Sequence, residues 1–150
     1  MSPLAVGDVA PAIPGLDFGD GPRGLFFYKV TCPTCKLAAP KMRAFEDAFP
    51  GRVIGVGQDP AEDLLRFTRE HAMEIRSVVD APPYPLSDAY EVVSVPTLFL
   101  VGSDGRLIDM IGAWDRIGFN RVAARIAELT GAEAVEVSSL GDGLPDFKPG

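Results

Sequence analysis

The chain has 150 residues, 47% of them hydrophobic and 23% charged, a size that buries a core without cross-links or metal. No apolar run approaches the roughly 18 residues of a membrane span, so membrane insertion is not expected. A formal charge of −7, from 21 acidic and 14 basic residues with no local Lys/Arg cluster, repels phosphate backbones and argues against nucleic acid as a partner.

In chain order, residues 1–23 carry Pro3, Pro11, Pro14 and Pro22 and read as an irregular or short-hairpin lead-in. This start lacks the basic-then-apolar pattern of a secretory signal, which gives a cytoplasmic expectation. "GLFFYKV", Gly24 to Val30, is short and aromatic-rich, as a buried strand is. The only two cysteines, Cys32 and Cys35, follow it. From there to Phe49, apolar residues recur at Ala38, Met42, Phe45 and Phe49, the spacing of an amphipathic helix. Pro33 fits its first position, Pro40 falls inside it and is expected to kink it, and Pro50-Gly51 ends it.

"RVIGVGQ", Arg52 to Gln58, reads as a second strand. Asp59 then suits a helix cap, with Pro60 at the first position and Glu62 three residues after the cap. Ala61, Leu64, Leu65, Thr68, Ala72 and Ile75 mark the face expected to be buried. After "SVVDAPPYP" a short helix is expected through "LSDAYEV". "TLFLVG" and "RLIDMIGAW" flank Ser103-Asp104-Gly105 as antiparallel strands joined by a tight turn. The last helix starts near Asp115, presents Phe119, Val122, Ala123, Ile126 and Leu129 to the core, and stops at Gly131. This order is α/β: two parallel strands joined by a right-handed crossover, a closing hairpin, and helices on both faces of a central mixed β-sheet. Residues 1–131 form one domain, and 132–150 a tail, loose or packed back on the domain.

Zinc needs about four ligands; one cysteine pair and one histidine, His71, are too few within one chain. No metal and no organic cofactor is expected. A redox reading explains more. Cys32 falls where a strand ends and a helix begins, facing unpaired N–H groups and the positive end of the helix dipole, which favour thiolate. Cys35, one turn on, is placed to displace a mixed disulfide formed at Cys32. In a reducing compartment a lone pair so spaced is reactive rather than structural. Lys29 and Lys36 lie near in sequence, but a solvated strand end and helix face account for them.

"CPTCKLAAP", with Pro40 five residues after the second cysteine, resembles the active-site segment of thioredoxin-like proteins. "SVPTLFLVGSDGRLI" resembles their cis-proline strand and following hairpin. The resemblance runs from about Leu4 to Leu129. "VGDVAPAIPGLDF" and "VIGVGQDPAEDLLRF" look more like the redoxin branch, meaning the TlpA-like reductases and the alkyl hydroperoxide reductase/thiol-specific antioxidant group. The resemblance implies a thioredoxin-like fold and a thiol–disulfide oxidoreductase in which Cys32 attacks and Cys35 resolves. It also implies that Pro96 is cis and faces the disulfide, that Val95 pairs its backbone with the substrate chain, and that Pro33 and Thr34 tune the redox potential. Its partners would be a protein disulfide or dithiol and a reductase or thiol donor.

Two departures stand out. Thr31 occupies the place of the thioredoxin tryptophan, and "GLFFYKV" holds no carboxylate where thioredoxins bury one. Gln58 and Asp59 are candidates to relay the Cys35 proton through a water, although Asp59 is more simply a cap. Two rival functions remain. A peroxiredoxin-like peroxidase with antioxidant activity would share the fold and lead-in, but its Pro-x-x-x-Thr-x-x-Cys pattern does not fit, because Thr31 directly precedes Cys32. A non-catalytic thioredoxin-like binding or redox-sensing module could use the acidic surface and a tail carrying Phe147. His71, Trp114, Tyr84 and Tyr90 read as packing or boundary residues.

Overall fold

The run Leu25-Phe26-Phe27-Tyr28 is apolar on both sides of the pleat and therefore needs cover on both faces. The structure, a computed structural model that describes residues 4–150, supplies it. Strand β1 (Arg23–Tyr28) is central, pairing in parallel with β2 (Val53–Gly57) and antiparallel with β4 (Thr97–Val101). Outside these lie β3 (Ser77–Val79), parallel to β2, and β5 (Leu107–Gly112), antiparallel to β4, in the order β3-β2-β1-β4-β5. Phe26 and Tyr28 pack with helices α1 (Pro33–Ala48), α2 (Ala61–Glu70) and α4 (Arg116–Thr130). Leu25 and Phe27 face the other way, onto Ala10 and Ile13 of the lead-in and onto Tyr90, just after α3 (Pro85–Ala89). This is the mixed sheet covered on both faces that the element order implies, with three helices on one side and one on the other.

The lead-in has one 3₁₀ turn, Phe18–Asp20, and a single bridge from Val9 to Arg106; Pro3 lies outside the described residues. Pro33 opens α1 and Pro40 lies inside it. Helix α4 begins at an Asp115 cap, whose carboxylate accepts from Gly118 N, and ends at Gly131 with φ 71°.

Three expectations need correction. Helix α2 stops at Glu70, because Ala72 and Glu74 take positive φ values of 50° and 48° that turn Met73 into the core. Its inward stripe is Leu64 and Phe67, while Leu65 is 60% exposed. Leu65 sits one residue from Leu64, about 100° around the helix, and lines an open apolar cleft with Val79 of the edge strand. Leu129 of α4 is likewise exposed, and Ala127 takes the buried place. "SVV", to which the sequence assigned no element, forms the edge strand β3.

Close approach at the β1–β2 pair requires Gly55. A Cβ there would overlap Ser77 Oγ and come within 2.9 Å of Tyr28 Cε1. Those two groups share a 2.7 Å hydrogen bond between Tyr28 Oη and Ser77 Oγ. Gly55→Ala is therefore expected to separate this pair and lower stability by about 1–3 kcal/mol, read from the denaturant midpoint. An unchanged midpoint would mean that the sheet accommodates the methyl freely.

Beyond Gly131 the chain returns to the domain. Val137 and Ser138 are buried, and β7 (Phe147–Lys148) pairs antiparallel with β6 (Trp114–Asp115). Buried Arg116 organises this return. Its guanidinium donates to Ser138 Oγ (3.1 Å), Asp142 Oδ1 (3.0 Å), the Leu144 carbonyl (2.6 Å) and the Asp146 carboxylate. Lys41 meets the second Asp142 oxygen at 2.8 Å, and Trp114 Nε1 donates to the Pro145 carbonyl at 2.8 Å.

Candidate active site

Strand β1 ends at Tyr28, and after four intervening residues the chain enters α1 at Pro33, so the first helical N–H groups open onto the sheet's carboxyl edge. Cys32 is the N-cap, with extended backbone (φ −83°, ψ 116°), and Pro33 follows where a missing N–H costs nothing. In this position Cys32 Sγ accepts from the Cys35 backbone N–H at 3.1 Å. Its own S–H points to the Val95 carbonyl at 3.5 Å. Cys32 is half-buried and Cys35 wholly buried; both are free thiols.

The two sulfurs have opposite chemistry. Hydrogen bonding from the Cys35 thiol, then from the Cys35 and Thr34 N–H groups, with Lys148 adding positive charge, lowers the Cys32 thiol from an ordinary 9.0 to about 6, against partial burial. Burial, then the neighbouring Cys32 sulfur, push Cys35 far above the ordinary thiol range. The shifts therefore favour thiolate at Cys32 near neutrality and thiol at Cys35.

Pro96, buried and joined to Val95 by a cis bond, lies across from this pair. Its carbonyl accepts from Ala113 N at 2.9 Å, tying the loop to the β5–β6 bend where Ala113 has φ 68°. Thr34 is buried and donates from Oγ1 to the Pro149 carbonyl at 2.7 Å. Pro33 and Thr31 are exposed. The residues singled out in sequence, Cys32, Pro33, Thr34, Cys35, Val95 and Pro96, therefore share one edge of the sheet.

The proton-relay candidates part company. Gln58 turns away and donates from Nε2 to Ser87 Oγ (2.9 Å), part of a network in which buried Asp80 accepts from Leu86 N, Ser87 N and Ser87 Oγ. Asp59 is not the α2 cap; that position is Pro60, with no side-chain bond. The Asp59 carboxylate is taken by Val30 N at 2.9 Å and sits 3.9 Å from Lys29 Nζ. It adds a repulsive negative charge to the Cys35 environment. Lys29 also covers the Tyr84 ring at 5.4 Å. His71 packs on Phe67, with ring centroids 4.7 Å apart. Trp114 and Tyr90 are core residues. Lys148 went unnoticed in sequence because nothing local links it to Cys32, more than a hundred residues earlier.

Among the described residues no three His, Cys, Asp or Glu side chains converge as a metal site, and no helix is long and apolar enough to cross a membrane. The AhpC/TSA family model matches residues 17–110. No curated protein matches the chain. Among solved structures, the thioredoxin domain of a thiol-disulfide oxidoreductase from Bacteroides vulgatus is 23% identical, covers 82% of this chain and 99% of its own, and has a TM-score of 0.70. A putative thiol:disulfide interchange protein DsbE from Chlorobium tepidum is 22% identical over 84% of this chain and 98% of its own, with a TM-score of 0.72. A secreted disulfide oxidoreductase of Mycobacterium tuberculosis, described as homologous to DsbE of E. coli, is 21% identical over 73% and 82%, with a TM-score of 0.60. These likenesses establish the thioredoxin-like fold.

Proposed function

Starting from a chain that belongs to the AhpC/TSA family, we propose that it is a thiol–disulfide oxidoreductase working through a Cys32/Cys35 dithiol. The observation that carries this reading is the unlike pair at the α1 N-terminus: an N-cap thiol lowered to about 6 with a buried thiol one turn behind it. The Cys32 thiolate attacks one sulfur of a substrate disulfide, forming a mixed disulfide and releasing the other sulfur as a thiolate that takes up a proton. With Cys32 no longer anionic, Cys35 loses its proton and attacks Cys32 Sγ. The Cys32–Cys35 bond forms, the second substrate sulfur leaves, and two electrons have passed to the substrate. A reductase or thiol donor restores the dithiol. Asp59, whose charge reaches Cys35, is the group suited to receive that proton. Pro33, Thr34, Val95 and Pro96 form the rim against which the substrate lies, and a disulfide-bearing protein is the substrate class this rim suggests.

The test pairs disulfide reduction, with insulin and bis(2-hydroxyethyl) disulfide as substrates, against hydrogen peroxide consumption. Wild type is expected to reduce a disulfide and Cys32→Ser to lose that activity by about 10³-fold or more. Peroxide turnover without disulfide reduction would transfer the reading to a peroxidase. Neither activity in the wild type would point to a binding module.

A further inference from the structure

The rim is already occupied. Strand β7 pairs through the two-residue ladder Trp114↔Lys148 and Asp115↔Phe147, and it delivers Pro149 and Gly150 onto the active site. The Pro149 carbonyl takes the Thr34 hydroxyl at 2.7 Å. Gly150 lies so close to Val95 that a Cβ on it would overlap the Val95 carbonyl oxygen and come within 3.4 Å of Pro96 Cδ. Lys148 contributes positive charge at Cys32. Residues 138–146 are stapled by Arg116, Lys41 and Trp114, whereas Phe147, Pro149 and Gly150 are exposed.

A firmly anchored stretch therefore presents a lightly held one across the groove. Pro96 has no N–H to offer, so the Val95 carbonyl is the backbone acceptor next to the reactive sulfur. An extended polypeptide carrying a disulfide to Cys32 must lay several flanking residues along Thr34 and Val95, where Pro149 and Gly150 now sit. A disulfide of a few atoms needs only the half-exposed sulfur.

Resting on the oxidoreductase reading, we propose that residues 147–150 are a specificity element of this site, which leaves Cys32 open to low-molecular-mass disulfides and admits its protein disulfide only when displaced. Displacement gives up one hydrogen bond and a short ladder, so removing the segment should accelerate protein substrates by about tenfold or more.

The experiment compares the full chain, a chain ending at Asp146 that keeps the Arg116 staple, and Gly150→Val, whose side chain cannot fit against Val95. The reduced proteins are reacted with insulin and with bis(2-hydroxyethyl) disulfide; the shortened chain also loses the Lys148 charge at Cys32, which acts on the attacking sulfur for both substrates and cancels in their rate ratio. Expected is an insulin-to-small-disulfide rate ratio up about tenfold in both variants, with the small-disulfide rate of Gly150→Val, which keeps Lys148, within about twofold of wild type. An insulin-to-small-disulfide rate ratio equal to or below that of the full chain would overturn the proposal. If the shortened chain does not fold, Gly150→Val decides alone. A full chain inert toward both disulfides would instead sink the oxidoreductase reading on which the proposal rests.

Discussion

Iodoacetamide added to the reduced protein at pH 7 is expected to label Cys32 and spare Cys35. Cys32 is half-exposed and lowered to about 6, whereas Cys35 is fully buried and raised. At pH 7 a thiol of pKa near 6 is about 90% thiolate, against about 1% for one near 9. Lower basicity makes each thiolate about twentyfold less nucleophilic, so the net gain over an ordinary cysteine is about fourfold. The sharper signature is the pH profile. Because the folded value is depressed, the alkylation rate should fall as pH drops through about 6 and be flat above about 7.5. The reduced protein's extra stability from this thiolate follows the same sign: fully present above about 9, lost as pH falls through about 6. At pH 7 the thiolate favours the reduced state by at most about 1.4 kcal/mol, or about 30 mV, before solvent screening. That direction makes the couple more oxidising than an unperturbed dithiol. Mass spectrometry of the labelled sites checks the assignment, and a midpoint near 9 would remove the cap as its cause.

Arg116→Ala should be the most destabilising single change outside the apolar core, by about 3–5 kcal/mol, since it strips the partner from covered groups. Asp142 would retain Lys41, Ser138 and the Leu144 N–H but lose its guanidinium, and the Leu144 carbonyl would lose its donor. The 132–150 segment should detach first, seen as hydrogen-exchange protection lost at Ser138 and Lys148 before the sheet opens. Acid gives a second reading of the same staple. Lys41, then Ser138 and the Leu144 N–H, hold the Asp142 carboxyl well below the usual range. Its contribution is thus present above about pH 4 and lost only as pH falls through the depressed value. A variant with wild-type thermal midpoint and unchanged exchange would show that the network contributes nothing net.

Much of the site was legible because its signals are local. A cysteine pair at a strand-to-helix junction, Pro33 at the first helical position and Pro96 opening a strand are each determined within a few residues. The elements along "GLFFYKV", "TLFLVG" and the Asp115-to-Gly131 helix follow from composition and caps in the same way. Asp59 misled for the same reason. Asp-Pro before a helix is a good local cap, but the side chain found the Val30 N–H twenty-nine residues away, where the β1 turn left a donor unpaired. Leu65 and Phe67 show a subtler limit, since the periodicity of α2 suits either stripe and the position of the sheet selects one.

The sequence by itself determined the α/β order, the central strand and the dithiol's place at a helix start, because propensity, capping and hydrophobic period act over one or two turns. Tertiary structure alone decided which carboxylate stands behind Cys35, that Arg116 staples residues 138–146, and that Pro149 and Gly150 lie across Thr34 and Val95. Those pairings join residues from about twenty to more than a hundred positions apart, and burial leaves each polar group to whichever partner the packed chain brings within about 3 Å.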